Sequence, residues 1–581
     1  MNALTRTGTP WWKHSTVYQI YPRSFADSNG DGIGDLPGIT SRLDHLQQLG
    51  VDVVWLSPIY SSPNDDNGYD ISNYRNIMAE FGTLADFDAM LAAMHARGIK
   101  LMMDLVVNHS SDEHHWFTEA RKSRDNPYHD YYIWREPQAD GSPPTNWEAA
   151  FTGSVWEWNE PTSEYYMHMF SKKQPDLNWE NPALRQEVYA LMRFWLDRGV
   201  DGFRMDVINM ISKPWNADGS LPQAPVVREG FLQPGFALSC NGPKLGEFLR
   251  EMREQVLDHY DTITVGEAPL ATIRQGVELT HAQEGALNML FQFEHMDLDC
   301  ISGHPNGKWA LKRLHLPDLK ASMMRWQDAL AEHGWNSLYL CNHDQPRPVS
   351  RFGDDGVYRV PSAKMLATFL HGFQGTPYVY QGEELGMTNV QFPSIEDYQD
   401  IEIRNMYRVA VHERGQDPQQ VMQSIWAKGR DNARTPMQWS DSPNAGFTTG
   451  TPWLALNPRY PEINAAQAVA DADSVFHHYH QLIALRKQEP LLVHGRTEML
   501  LPEHPHVVAY MRTAESDSAR LLVLCNFSAE PQTVLWDGAL KFETAELLLG
   551  NYQTDNAELA QRLQSPTLRP FEALLVKLRP H

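Results

Sequence analysis

The sequence predicts an α/β protein: a closed (β/α)8 TIM barrel with a subdomain inserted after the third strand and a C-terminal antiparallel β-domain. Three observations support this prediction. Strand-like and helix-like patterns alternate along most of the 581 residues, at the spacing of βαβ units. Three carboxylates, Asp206, Glu267 and Asp344, each follow a short strand-like run, which is where the active sites of such barrels lie. Beyond residue 492 the pattern changes to short β-like runs.

Eight segments are rich in β-branched and aromatic residues and read as strands. They are 17–21, 51–56, 99–107, 202–206, 263–265, 289–293, 338–340 and 378–380. Helix-like patterns occupy 39–49, 84–96, 183–197 and 475–486. Because eight strands with intervening helices favour a closed barrel, we predict that residues 1–107 and 179–492 form one barrel in two parts.

The region 108–178 interrupts this alternation with Ser-Ser, Pro-Pro and many aromatic residues, among them Phe151. An excursion of this length is more typical of a functional insertion than of a structureless loop. We therefore predict an inserted subdomain, subdomain B, at 108–178. The later runs 507–511, 521–526 and 573–578 predict a β-domain at 493–581.

The charge balance limits the class of partner. Lys and Arg number 49 and Asp and Glu 73, giving a formal charge of −24, which disfavours nucleic acid and anionic membranes as partners. An uncharged small substrate fits better, and 18 Trp, 22 Tyr and 22 Phe supply faces on which sugar rings stack. We expect a monomer.

The four cysteines are scattered without a CxxC pair, so neither a zinc ribbon nor a disulfide framework is indicated. The first fifteen residues lack an apolar signal core, and no run of about eighteen apolar residues occurs. These features predict a cytoplasmic protein.

The strand-end acids point to glycoside hydrolysis. That reaction requires one ionised carboxylate to attack or stabilise the sugar carbon, and one protonated carboxylic acid to protonate the leaving oxygen. His109 and His343 stand beside strand-end Asn108 and Asp344, and we expect them to donate hydrogen bonds to sugar hydroxyls.

With these residues in view, the chain resembles glycoside hydrolase family 13, the α-amylase family, over essentially its whole length. The signature regions of that family appear as Asp104-Leu-Val-Val-Asn-His109, Gly202-Phe-Arg-Met-Asp206, Gly266-Glu267, Asn342-His-Asp344 and Gln174-Pro-Asp-Leu-Asn178. The resemblance implies that Asp206 is the nucleophile of a retaining mechanism, Glu267 the general acid/base, and Asp344 the carboxylate that binds and distorts the sugar. Arg204 would lower the pKa of Asp206 and keep it ionised.

Within the family the chain is similar to the oligo-1,6-glucosidase and dextran glucosidase group. The segments that carry this similarity are Pro63-Asn-Asp-Asp-Asn-Gly-Tyr-Asp70, Phe291-Gln-Phe-Glu-His295 and Arg430-Asp-Asn-Ala-Arg-Thr-Pro-Met-Gln-Trp439. The resemblance implies that Asp66 and Arg434 clamp the non-reducing glucose, that Tyr69 stacks on it, and that Phe151 also contacts substrate. A pocket closed in this way implies an exo-acting α-glucosidase.

The bond that is cleaved is implied by Val207, since Val-Ile-Asn after the nucleophile accompanies α-1,6 cleavage in this group. Lys308 and Glu402 also resemble acceptor-side residues of the α-1,6 enzymes. The segment Ala268-Pro-Leu-Ala-Thr-Ile273 departs from the Met-Pro-Gly more often found there. The sequence therefore leaves open whether the leaving sugar is glucose, as in isomaltose, or fructose, as in isomaltulose and trehalulose.

The loop 27–35 carries oxygen-bearing side chains at alternate positions and several glycines. This pattern fits a calcium-type loop, although Gly38 stands where an EF-hand has its bidentate Glu, and an Asx-rich turn is the alternative. The resemblance implies structural Ca²⁺ held by the side chains of Asp27, Asn29, Asp31 and Asp35 and the carbonyl of Ile33.

Three other functions remain open. A trehalose-6-phosphate hydrolase would share Asn342-His-Asp-Gln-Pro-Arg347 but would need a cationic subsite for the phosphate. A sucrose isomerase would intercept the same intermediate with fructose, although those enzymes tend to have Asn where Gln345 stands. A non-catalytic sugar-barrel protein would have lost the acids, all of which this chain retains.

Overall fold

The computed structural model describes residues 9–304, 306–555 and 557–580. The predicted first barrel segment begins at residue 1 and the predicted β-domain ends at residue 581, so residues 1–8 and 581 of those predictions lie outside the described residues. Within the described part, no helix combines the length and apolar character needed to cross a membrane.

Eight parallel strands form one nearly closed barrel. They are β1 (Val17–Ile20), β2 (Val53–Leu56), β3 (Lys100–Leu105), β4 (Gly202–Met205), β5 (Ile263–Glu267), β6 (Met289–Phe291), β7 (Ser337–Leu338) and β8 (Thr376–Tyr380). Their order in the sheet is β6-β5-β4-β3-β2-β1-β8-β7. The outer strands β6 and β7 meet where Ser337 Oγ donates a hydrogen bond to the Leu290 carbonyl at 2.6 Å. The predicted fold class is confirmed.

The longer helices follow the strands in the chain. They are Leu36–Ser41, Leu43–Leu49, Leu84–Ala96, Pro182–Asp197, Leu245–Gln255, Ile273–Thr280, Leu316–Leu330, Arg359–His371 and Val475–Gln488. Shorter ones are His115–Ala120, Phe236–Ser239, Pro348–Phe352, Ile401–Tyr407, Pro418–Lys428, Asp431–Arg434, Ala465–Ala470, Pro490–His494 and Leu559–Arg562, and Arg408–Glu413 is a π-helix.

The helix predicted over 39–49 is divided in two at Arg42, whose φ of −111° and ψ of 7° are not helical. Just before this break, Thr40 Oγ1 donates to the Leu36 carbonyl and Ser41 Oγ to the Gly38 carbonyl. Hydroxyl groups that bond back to carbonyls of the preceding turn bend helices. These hydrogen bonds do not change the apolar periodicity, so the sequence pattern does not predict the break at Arg42.

Between β3 and the helix Pro182–Asp197, the strands Trp134–Arg135, Glu164–Met167 and Trp156–Asn159 form a small antiparallel sheet. Trp147, Trp156 and Met167 of this region share one apolar cluster with Val207 and Met210, which follow β4. The inserted region therefore covers the carboxyl end of β4. The predicted domain boundaries remain predictions.

The C-terminal sheet contains β9 (Arg496–Met499), β10 (Val507–Ala514), β11 (Asp517–Asn526), β12 (Thr544–Gly550) and β13 (Ala573–Arg579). These strands pair antiparallel in the order β9-β10-β11-β13-β12. Tyr510 attaches the sheet to the barrel: its hydroxyl donates to the Phe369 carbonyl at 2.7 Å, and its ring stacks on Phe373 at 4.3 Å. The sheet thus packs against the helix Arg359–His371.

Candidate active site

Asp206 and Glu267 lie level at the carboxyl ends of adjacent strands. The β4–β5 register pairs Met205 with Gly266, so the next residue on each strand is one of the two acids. The Asp206 backbone amide donates to the Leu105 carbonyl of β3 at 2.9 Å, which holds the acid at the barrel rim. Strand pairing alone therefore brings these two sequence-predicted acids together.

Arg204 links the acids from below. Its side chain is only 1% exposed, and its Nη1 lies 2.8 Å from Asp206 Oδ1 and 2.9 Å from Asp104 Oδ1. Its Nη2 lies 2.7 Å from Glu267 Oε2. Because one planar guanidinium contacts both acids, their carboxyl groups lie close together at the barrel rim.

Burial raises the pKa of both acids. The pKa of Glu267 rises to about 8 and that of Asp206 to about 7, because both side chains are removed from water, and the positive charge of Arg204 only partly offsets this. A hydrogen bond from Glu267 also lowers the pKa of Asp206. The sequence predicts that Arg204 lowers the pKa of Asp206; it does, but burial is the larger effect and the net change is upward.

Val207 holds Glu267 through its backbone. It has φ +34° and ψ 41°, in the left-handed region that β-branched residues rarely adopt. This conformation directs its amide to Glu267 Oε2, to which it donates a hydrogen bond at 3.0 Å. Local strain of this kind is typical of functional sites.

Asp344 and His343 follow β7, which only β6 separates from β5 around the barrel. Burial alone would raise the pKa of Asp344, but the positive charges of Arg430 and Arg434 outweigh burial and hold the pKa well below its usual range. His343 Nε2 is 3.3 Å from Asp344 Oδ2, and burial lowers the pKa of His343 to about 3. Asp344 is therefore ionised and His343 neutral at neutral pH.

Tyr69 contacts both His343, which precedes Asp344, and Asp104, which contacts Arg204. Its ring stacks on His343 with centroids 5.2 Å apart and planes 8° from parallel. Its hydroxyl donates to Asp104 Oδ2 at 3.0 Å. The structure thus places Tyr69 within the site, while its predicted stacking on a sugar ring stays a prediction.

Asp66 and Arg434, the two residues predicted to clamp the glucose, have different ion-pair partners. Arg430, not Arg434, contacts Asp66, with Nη2 3.1 Å from Oδ1. Arg434 instead donates from Nη2 to Asp344 Oδ1 at 2.6 Å and from Nε to the His343 carbonyl at 3.0 Å. Because these backbone and side-chain acceptors commit Arg434 to the Asp344 side, Asp66 pairs with the arginine one turn earlier.

His109 lies beside the Asp66 pocket. Its Nε2 is 3.1 Å from the Tyr69 carbonyl and 3.4 Å from Gln174 Nε2, and that amide also donates to Asp66 Oδ2 at 3.1 Å. Burial lowers the pKa of His109. Since Nδ1 also lies 3.1 Å from Asn108 Nδ2, both ring nitrogens have protein partners, and the predicted hydrogen bond from His109 to a sugar hydroxyl stays a prediction.

Three further predicted residues line the rim. Lys308 Nζ pairs with Glu402 Oε2 at 2.6 Å, and Glu402 also lies 3.5 Å from Arg430 Nε. The Phe151 ring is 5.2 Å from the Arg430 guanidinium carbon. The predicted acceptor-side residues therefore connect to the Asp66 pocket through a single arginine.

The loop 27–35 lies apart from these acids. Asp27 accepts hydrogen bonds from the amides of Asn29, Gly30 and Gly32, and Asn29 and Asp31 each accept one from the amide two residues on. Asp35 turns to Ser28 and to the start of the helix Leu36–Ser41. Within the described residues, no group of three or more His, Cys, Asp and Glu side chains is arranged to hold a metal ion.

Sequence reasoning missed two residues of the site, Arg430 and Asp400. Asp400 is fully buried, and its carboxylate accepts hydrogen bonds from Arg430 Nε at 3.1 and 3.0 Å. Both residues lie in or near segments that the sequence singles out, since Arg430 opens the segment 430–439 and Asp400 lies two residues before Glu402. Their pairing joins segments thirty residues apart, which no local pattern reveals.

Comparisons with known proteins agree with this geometry. The family model described as alpha amylase, catalytic domain, matches residues 19–495. The chain is 60% identical over 570 residues to the oligo-1,6-glucosidase of Parageobacillus thermoglucosidasius, covering 98% of this chain and 99% of the relative. It is 49% identical over 574 residues to the trehalose-6-phosphate hydrolase of Bacillus subtilis (strain 168), covering 98% of both.

Among solved structures, a mutant of the isomaltulose synthase of Erwinia rhapontici NX5 in complex with sucrose superposes with a TM-score of 0.92. The two chains are 39% identical, and the match covers 100% of each. The same barrel and appended domain thus occur in relatives named for several different reactions.

Proposed function

The chain belongs to the α-amylase family, and on that premise we propose that it is a retaining, exo-acting α-glucosidase that hydrolyses α-1,6 bonds. Its substrates are the non-reducing ends of isomaltose and short isomalto-oligosaccharides, or of related disaccharides such as isomaltulose and trehalulose. The observation that carries this proposal is that two buried acids, Asp206 and Glu267, both contact the guanidinium of Arg204.

The order of the two pKa values supports the division of roles. At neutral pH the Glu267 carboxyl, with a pKa of about 8, holds its proton, while Asp206, with a pKa of about 7, ionises more readily. Asp206 attacks the anomeric carbon as Glu267 gives its proton to the leaving oxygen, and the bond to the leaving sugar breaks. Glu267 then takes a proton from water, whose oxygen displaces Asp206 and releases glucose.

The residues around Asp344 supply recognition of the glucose. Asp344 stays ionised and accepts hydrogen bonds from ring hydroxyls, while neutral His109 and His343 complement other hydroxyls. The neighbouring ion pairs are Asp66 with Arg430 and Asp344 with Arg434. They support a pocket that is closed on one side and admits one terminal glucose. Such a pocket favours exo-action.

The linkage and the acceptor are inferred from a relative and from residues beside the acids. The 60% identical relative is named oligo-1,6-glucosidase, and Val207 is the residue that accompanies α-1,6 cleavage. A phosphorylated acceptor would need unpaired positive charge, whereas Lys308 is neutralised by Glu402. A neutral leaving sugar is therefore favoured over trehalose 6-phosphate.

The test is the initial kcat/KM for glucose release from isomaltose, isomaltulose, trehalulose, maltose, sucrose and trehalose 6-phosphate, measured in parallel. We expect isomaltose or isomaltulose to lead, and their ratio to identify the acceptor. If trehalose 6-phosphate leads, the linkage and acceptor proposed here are wrong. If isomaltulose or trehalulose forms from sucrose in place of free hexoses, the enzyme is an isomerase.

We also propose that the loop 27–35 binds structural Ca²⁺ through Asp27, Asn29, Asp31, Asp35 and the Ile33 carbonyl. Oxygen donors are what Ca²⁺ prefers, and the amide hydrogen bonds to Asp27, Asn29 and Asp31 curl the loop around its side-chain oxygens. An ion that binds only the folded chain stabilises it.

A calcium chelator should therefore lower the thermal unfolding midpoint, and added Ca²⁺ should restore it. The kcat measured well below that midpoint should change little, because the loop contacts none of the strand-end acids. Identical melting curves with chelator and with Ca²⁺ would exclude a bound ion. A cytoplasmic location and a monomeric state remain further predictions.

A further inference from the structure

The Asp400 carboxylate lies behind the glucose pocket and takes no part in the mechanism above. It is 0% exposed and caps the helix Ile401–Tyr407. Arg430 Nη2 lies 2.5 Å from Asp400 Oδ1 and Arg434 Nη1 lies 3.5 Å from the same oxygen. One buried carboxylate thus sits between two buried guanidinium groups.

Both arginines also contact acids of the pocket. Arg430 lies 3.1 Å from Asp66 and 3.5 Å from Asp344, and Arg434 lies 2.6 Å from Asp344. The chain of contacts runs Asp66, Arg430, Asp400, Arg434, Asp344. Asp400 is the member of this chain that contacts both cations from behind, away from the sugar.

The negative charge of Asp400 offsets the repulsion between Arg430 and Arg434. Two guanidinium groups taken out of water repel each other. Burial and the charge of Arg430 act to lower the pKa of Arg434, but neighbouring acidic groups, Asp400 and Asp344 among them, outweigh this effect and raise it. The charges of Arg430 and Arg434 outweigh the effect of burial on Asp400 and lower its pKa, so it is anionic. Its charge lets both arginines stay side by side.

We propose that Asp400 is a positioning residue that fixes Arg430 and Arg434 and thereby sets the affinity of the pocket for the non-reducing glucose. This inference rests on the proposed function. Asp400 does not contact the reacting atoms, so its loss should weaken glucose binding far more than it slows bond cleavage.

The test is Asp400→Asn, which keeps a helix-capping side chain, removes the charge and replaces one oxygen that accepts from Arg430 by an NH2 group. We expect KM for 4-nitrophenyl α-glucoside and the calorimetric Kd for glucose each to rise at least tenfold, with kcat within threefold of wild type. The matched control is Asp417→Asn. Asp417 is exposed, caps the helix Pro418–Lys428 by accepting from the Gln419 amide at 2.9 Å, and should leave all three constants unchanged.

Asp400→Glu is the second variant, and it tests the proposal if the Asn variant does not fold. It keeps the charge but displaces the carboxylate by one methylene, so the glucose Kd should rise at least fivefold. A Kd that matches the Asp417→Asn control in whichever variant folds would overturn the proposal. Glucose binding does not depend on turnover, so a wild type that binds glucose but fails on isomaltose would contradict the proposed function alone.

Discussion

Asp206→Ala should lower kcat for isomaltose by about 10⁴-fold or more, because removing a nucleophile abolishes the covalent route and leaves only binding and electrostatic effects. The fold should persist, since the change relieves repulsion among Asp206, Asp104 and Glu267, which all contact Arg204. Steady-state kinetics and circular dichroism of the purified variant measure both effects.

Glu267→Gln should lower kcat by about 10²–10⁴-fold, the usual contribution of a general acid. In the wild type, activity should fall above pH 8, where Glu267, with its raised pKa of about 8, loses the proton that it must donate. Glutamine does not titrate, so the variant should lose this alkaline limb and keep the acidic one, which reports protonation of Asp206 near pH 7.

Glu284→Gln is the matched control for these acids, because Glu284 is exposed on the surface and should leave both kcat and the pH profile unchanged. Near-wild-type kcat in either site variant would remove that acid from the mechanism. An unchanged alkaline limb in Glu267→Gln would assign the limb to another group.

Arg204→Gln should lower both the stability of the fold and the activity. It removes the cation between three carboxylates, and breaking a buried ion pair on one side costs about 3–5 kcal/mol. Asp206 would then hold its proton at neutral pH, and kcat/KM should fall about 10³-fold, similar to the loss of one preorganised electrostatic partner. Thermal melting and kinetics test both parts.

The control for this variant is Arg274→Gln. Arg274 is 86% exposed and pairs with Glu278 one turn away on the same helix, and such surface pairs contribute about 0–1 kcal/mol. Its melting midpoint should stay near that of the wild type. If Arg204→Gln melts where Arg274→Gln does, the guanidinium does not hold the acids together.

Much of the barrel could be predicted from sequence because strand and helix patterns report local burial. The strands predicted at 202–206 and 263–265 correspond to Gly202–Met205 and Ile263–Glu267, and the family prediction is confirmed by a match over residues 19–495. The divided helix at Arg42 was missed, because hydroxyl groups that bond back to carbonyls leave the apolar pattern unchanged.

The site was predictable only where a residue ends a strand. Asp206 and Glu267 are brought level by strand pairing, which the sequence suggests. Arg430 and Asp400 come from loops after the eighth strand, and their partners are fixed by tertiary packing. The direction of the net pKa shift of Asp206 could not be predicted from the sequence either. It depends on burial in the folded site, which outweighs the neighbouring charge of Arg204.

The double-displacement mechanism is tested most directly by the anomeric form of the first glucose released from isomaltose. Proton NMR measures this form before mutarotation. Two displacements at the anomeric carbon, first by Asp206 and then by water, return the original configuration. We predict that α-glucose appears first. Initial release of β-glucose would show a single displacement and would contradict the assignment of Asp206 as a nucleophile paired with Glu267.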